Sequence, residues 1–101
     1  MGVTFHLRKH QERKGSVLEI RGIVDGSSAC EIVNFLTDLP AERFPVFLDF
    51  ANTETIYQFG ARVLEDRARS VARRKGRVLL TRLPVCPGWF GSDTYQDPVP
   101  L

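Results

Sequence analysis

A chain of 101 residues has room for one hydrophobic core, which excludes a multidomain architecture. Its 43% hydrophobic and 26% charged residues exclude disorder along the whole length, and a formal net charge of +2 selects no class of partner. The longest apolar stretches, such as Val46-Phe47-Leu48, fall far short of the roughly 20 residues of a membrane span, and Met1–His10 lacks a continuous apolar signal region; the expectation is a cytoplasmic protein without membrane insertion.

Along the chain, Val3, Phe5 and Leu7 alternate with Thr4, His6 and Arg8, the period of a half-buried strand. Lys9–Gly15 is polar and closes on glycine, and Val17–Val24 is a second strand, so the two predict an antiparallel hairpin. Ser28-Ala29-Cys30-Glu31 fits a capping box, with the Ser28 hydroxyl accepting from the Glu31 amide. Ile32, Val33, Leu36 and Leu39 then recur at helical spacing and stop before Pro40. Phe44–Phe50 is a compact apolar run rich in β-formers, a central buried strand ending around Asp49. Ala51–Thr55 is polar and reads as a connection, and Thr55-Ile56-Tyr57-Gln58 matches the threonine form of the capping box. A second helix follows, with a buried stripe of Gly60, Leu64, Ala68 and Val71 widened by Val63 and Ala72. Gly76 is placed to terminate it, with Arg73, Arg74 and Lys75 in the last turn where the helix dipole favours cations. Val78–Thr81 is the next strand. Beyond Leu83 the segment is punctuated by Pro84, Pro87, Gly88, Gly91, Pro98 and Pro100, so the chain divides into a domain over 1–83 and an irregular tail over 84–101, whose Trp89 and Phe90 can fold back onto apolar surface. The order β-β-α-β-α-β predicts an α/β fold, a small mixed β-sheet with both helices packed on one face.

Chemistry is sparse. Cys30 and Cys86 form no CxxC and read as two free thiols in a reducing compartment. His6 and His10 lie four apart on a segment that begins as strand, and no Cys or acidic cluster joins them locally, so no metal site is expected. With no Gly-rich phosphate loop, no GxSxG and no Cys–His pairing, the chain reads as neither an enzyme nor a cofactor carrier. Asp25 and Asp49 could meet at the strand ends where open α/β sheets bind ligands, but two aspartates do not define a reaction. The second helix is basic: Arg62, Arg67, Arg69, Arg73, Arg74, Lys75 and Arg77 stand against Glu65 and Asp66. Nucleic acid or an acidic partner would suit it. Nucleic acid is disfavoured, because Arg62–Asp66 and Glu65–Arg69 read as i,i+4 pairs and no aromatic platforms interleave with the arginines. An exposed edge strand leaves a homodimer open.

Three segments in this order resemble the STAS family, named for sulfate transporters and anti-sigma-factor antagonists: Val17–Asp25, a strand with Gly22 and Asp25 leading into a helix; Val46-Phe47-Leu48-Asp49-Phe50; and Ile56–Leu64 with the basic helix end and Gly76-Arg77-Val78-Leu79-Leu80. The likeness covers roughly Val3 to Leu83. It implies a regulatory protein-binding module acting on an anti-sigma-type kinase or a larger signalling assembly. The family's antagonists carry Asp-Ser-Ser-Gly or Asp-Ser-Thr-Gly before the second helix, where a hydroxyl is phosphorylated and the added charge releases the partner. Here Tyr57-Gln58-Phe59-Gly60 stands in that place; Gln58 and Phe59 have no hydroxyl, and only Gly60 is kept. Either the module binds constitutively or it is controlled elsewhere, with Thr53, Thr55 and Tyr57 as nearby hydroxyls. The partner-binding residues implied are Asp25, Ser27, Ser28, Tyr57, Gln58, Phe59, Gly60 and Arg62. The alternatives are a subunit of a membrane transport complex and a nucleic-acid-binding protein using the basic helix.

Overall fold

The computed structural model describes residues 4–9, 15–83 and 99–101. β1 (Thr4–Lys9) and β2 (Ser16–Val24) form the expected antiparallel hairpin, with Thr4 opposite Arg21 and Lys9 opposite Ser16. α1 (Gly26–Asp38) follows directly and ends before Pro40, with Leu39 as its C-cap. β3 (Val46–Asp49) runs parallel to the first half of β2, and β4 (Thr53–Ile56) runs parallel to its second half. α2 (Gln58–Arg74) leads to β5 (Val78–Thr81), parallel to β3, and β6 (Val99–Pro100) pairs antiparallel with β5. The main sheet has the order β1-β2-β3-β5-β6, with β4 on β2 outside this path. The helices pack against each other over one face of this mixed sheet, the α/β architecture expected from the alternation of elements.

The core follows the two periods read from the sequence. Leu18, Ile20 and Val24 of β2, Val46 and Leu48 of β3, and Val78 and Leu80 of β5 point to the helices at every second position. Ile32, Val33 and Leu36 of α1 and Gly60, Leu64, Ala68 and Val71 of α2 meet them, joined by Ala61. Val63 and Ala72 are partly buried at the margin.

Several boundaries differ from those expected, each for a local reason. Asp25, not Ser28, caps α1: its Oδ1 accepts the Ser28 amide at 2.9 Å. Ser28 therefore sits inside the first turn, and the Ser28–Glu31 box does not form. The Thr55–Gln58 box fails as well, because Thr55 belongs to β4 and the chain stays extended to Tyr57, whose amide donates to the Val24 carbonyl at 2.9 Å. Tyr57 is the N-cap of α2 and makes no side-chain capping bond. The stretch read as a connection over Ala51–Thr55 thus holds a strand. Its residues are polar because β4 is held by backbone pairing to β2 and by the Thr53 hydroxyl donating to the Ile20 carbonyl at 2.7 Å. The register skips Glu54 between Gly22–Thr53 and Ile23–Thr55, and Gly22 has φ +97°, a conformation open to glycine and strained for other residues.

At the far end of α2, Lys75 is the C-cap, and Gly76 is not left-handed. A Cβ on Gly76 would lie 2.6 Å from the Phe44 Cβ, so glycine is needed there for a close approach. The Lys75 ammonium donates to the Leu39 carbonyl at 2.6 Å and to that of Thr37, satisfying free carbonyls at the end of α1. Of the segment read as an irregular tail, residues 99–100 are strand β6, and 84–98 lie outside the described residues, as do Trp89, Phe90, Cys86 and His10. Among the described residues no helix is long and apolar enough to cross a membrane.

Candidate docking surface

The end of β2, the start of α1 and the start of α2 converge on one end of the molecule. Asp25 organises this junction. Its Oδ1 receives the Ser28 amide, and the Ser28 hydroxyl lies 3.0 Å from both that oxygen and the Ile23 carbonyl, sharing its one proton between them. The Ser28 amide, and next its hydroxyl, hold the Asp25 carboxyl below its ordinary range. A carboxylate with a depressed folded pKa stabilises the fold fully above its unfolded pKa, and that contribution disappears as the pH falls through the lower, folded value. Asp25→Asn keeps a capping oxygen but no charge. The margin of the wild type over Asp25→Asn in thermal midpoint is expected to be constant above about pH 5 and to shrink below about pH 4. A margin that does not change with pH would contradict the charged cap.

The first turn of α2 rests directly on this junction. A Cβ on Gly60 would lie 2.8 Å from both the carbonyl carbon and oxygen of Asp25 and 2.9 Å from the Val24 oxygen, so the helix can come this close only with glycine. Phe59 lies beside it, and a Cβ on Gly26 would meet its ring at 2.7 Å; the ring therefore lies against the bare backbone of α1.

The result is an exposed apolar tip. Tyr57 is 54% and Phe59 69% exposed, and they are the large hydrophobic side chains exposed among the described residues. Gln58 between them, Ser27 on the α1 side and Arg62 one turn on are exposed too. Two other residues expected at the surface lie beneath it: Ser28 is 3% exposed and Gly60 is buried, and both shape the tip from below. A groove runs from the tip between the helices, lined by Asp25, Gly26, Ser27, Cys30, Phe59, Val63 and Arg67. Cys30, a free thiol, and Val63, read as part of the buried stripe, were not anticipated as surface-forming residues, whereas Arg67 was expected on the basic face of this helix. The available signal was the four-residue spacing of Phe59, Val63 and Arg67, a row flanking the buried stripe.

Asp49 does not join this surface. It pairs in register with Glu19 of β2, whereas Asp25 lies past Val24, roughly 20 Å further along at ~3.3 Å per residue. Buried to 1% exposure, Asp49 accepts the Ala51 amide at 3.0 Å and is gripped by the Arg82 guanidinium, one nitrogen at 3.1 Å. Arg82 itself has φ +55°. The two aspartates are therefore separate structural devices, one a helix cap and the other a buried carboxylate paired with an exposed arginine. Of the i,i+4 pairs expected on α2, Glu65–Arg69 forms at 3.1 Å, and Arg62–Asp66 does not form.

No protein-family model and no curated protein matches the sequence. Solved structures match the fold. The anti-sigma factor antagonist SpoIIAA in its unphosphorylated form aligns with a TM-score of 0.55 at 16% identity, over 81% of this chain and 76% of that one. An antisigma-factor antagonist STAS domain from Rhodobacter sphaeroides aligns at 0.56 and 11% identity, over 77% and 84%. The fold is that of a STAS domain. The same STAS fold matches part of Mglu, with a TM-score of 0.63 and 23% identity over 78% of this chain; the match spans 19% of Mglu. Identities this low carry the fold alone.

Proposed function

We propose that this STAS-fold chain is a regulatory protein-binding module, comparable to an anti-sigma-factor antagonist, that docks its partner through the Asp25–Ser28 loop and the first turn of α2. The partner is an anti-sigma-type kinase or a larger signalling assembly, met in the cytoplasm, and the module performs no catalysis itself. The observation that carries this reading is the exposure of Tyr57 and Phe59 side by side at the α2 start, held out by Gly60 packed against the Asp25 backbone. Exposed aromatics on a rigid support are what interface energy concentrates on, since few rotamers are lost when they are covered. Ser27, Gln58 and Arg62 supply a polar rim, and Ser28 and Gly60 fix the geometry. No hydroxyl stands at Gln58 or Phe59, so phosphate at those two positions plays no part.

A photo-crosslinking residue placed at Gln58, in cells that make the chain naturally, tests this. It is expected to capture a discrete protein, while the same residue at exposed Glu42, beyond the end of α1, does not. Equal capture from both positions, or from Glu42 alone, would put the interface elsewhere. The captured protein also discriminates among partners: a kinase or signalling component fits this reading, a transporter ATPase the transport-complex alternative.

A further inference from the structure

We infer that the partner segment entering the groove between α1 and α2 is acidic, with an apolar side chain seated at Phe59 and a carboxylate at Arg67; this rests on the docking reading above. Phe59, Val63 and Arg67 stand four residues apart on α2, so they form one row along the groove, about 12 Å from first to last at ~1.5 Å per residue. Gly26, Ser27 and Cys30 face them from α1. The Phe59 end offers an aromatic ring with the Asp25 carboxylate at its margin, and the Arg67 end carries a cation.

The Arg67 guanidinium has no ion-pair partner among the described residues. α2 carries Arg62, Arg67, Arg69, Arg73 and Arg74 against Glu65 and Asp66, and among the described residues Arg69 is the one of these arginines held in an ion pair. Asp25, the acidic residue of the groove, has its Oδ1 turned to Ser28. The groove lining itself holds one cation, Arg67, and one anion, Asp25, about two helical turns apart, and exposed Glu31 follows Cys30 on α1. The attraction for a carboxylate is therefore local to the Arg67 end, where a basic side chain is repelled. In a helical partner, the 12 Å row corresponds to an apolar residue and an Asp or Glu about two turns apart. A protein segment is favoured over a nucleic-acid strand because the exposed aromatics cluster at the tip and are not interleaved with the arginines as a base-stacking path requires.

The test is selection of helical peptides from a phage-displayed random library on the immobilised full chain, repeated on Arg67→Glu and Phe59→Ser. Selected peptides are expected to carry a large apolar residue and an Asp or Glu two turns away. Their affinity should fall with added salt, about tenfold on Arg67→Glu, and further on Phe59→Ser. Selection on Arg67→Glu should enrich Lys or Arg at the position of the carboxylate. Peptides that need Phe59 but show no acidic preference overturn this inference and leave the docking surface standing. So does binding of a single-stranded oligonucleotide that is lost on Arg67→Glu, or self-association in sedimentation that is lost on Phe59→Ser. Peptides indifferent to Phe59 overturn the docking surface and this inference together.

Discussion

Phe59→Asp is expected to weaken partner binding about 30-fold or more while leaving the unfolding free energy within about 0.5 kcal/mol of the wild type. The two halves have different physical origins. Phe59 is 69% exposed and lies outside the core, so the fold loses little when the ring is removed. An aspartate in the first turn of α2 is, if anything, favourable to the helix dipole. Binding is another matter. Truncating a central interface aromatic typically costs 2 kcal/mol or more, about 30-fold in affinity, and a carboxylate buried without a partner adds to that. Gln58→Asp should act in the same direction with a smaller loss, since it changes a polar side chain on the rim. A pull-down with equal recovery of the partner by wild type and Phe59→Asp removes the tip from the interface.

Gly60→Ala should destabilise the fold by roughly 1–2 kcal/mol, against the sign that helix propensity predicts. Alanine inside a helix is favoured over glycine by about 1 kcal/mol. The added methyl would lie 2.8 Å from the Asp25 carbonyl and 2.9 Å from that of Val24, and backbone atoms cannot swing aside as a side chain does. Overpacking of this kind costs about 1–3 kcal/mol, so it outweighs the propensity gain. Gly26→Ala is the informative contrast. Its methyl would meet the far end of the Phe59 ring at 2.7 Å, and that ring has open solvent to rotate into. The stability loss should be smaller, whereas the shape of the groove mouth changes and partner affinity falls. Urea unfolding of the two variants ranks them, and a Gly60→Ala more stable than wild type would show that α2 does not press on the β2–α1 junction.

These two variants also mark what the sequence could and could not convey. β2, α1, β3, the stripe of α2 and β5 announce themselves because the residues that bury them repeat at the period of the element: Leu18 and Ile20 at two, Leu64, Ala68 and Val71 at three to four. β4 and β6 are different. Thr53-Glu54-Thr55-Ile56 is held by backbone bonds to β2, and Val99–Pro100 is two residues long, so neither shows a pattern of side chains. The capping boxes misled because Ser28 and Thr55 are good capping residues by type. What decides their roles is long-range: the Ile23 carbonyl draws the Ser28 hydroxyl inward, and the Val24 carbonyl holds the Tyr57 amide and keeps Thr55 in a strand.

For the site, position was legible and depth was not. The resemblance put Asp25–Ser28 and Tyr57–Gly60 together, and the fold does bring them into contact through Gly60 and Gly26. That Ser28 and Gly60 would be covered while Tyr57 and Phe59 project follows from the Ser28 hydroxyl turning to the Ile23 carbonyl and from Gly60 seating on the Val24–Asp25 backbone, contacts that no local pattern encodes. The extension of the surface along Val63 and Arg67 needs the facing wall of α1 to be known before it becomes a groove.

Hydrogen–deuterium exchange of the full chain, free and bound to the protein captured from Gln58, measures the central claim most directly. Slowed exchange on binding should concentrate in residues 25–30 and 57–67, with β1 and the last turn of α2 unchanged. Protection confined to the β1 edge or to Arg73–Arg77, with the tip exchanging as it does in the free chain, would contradict it.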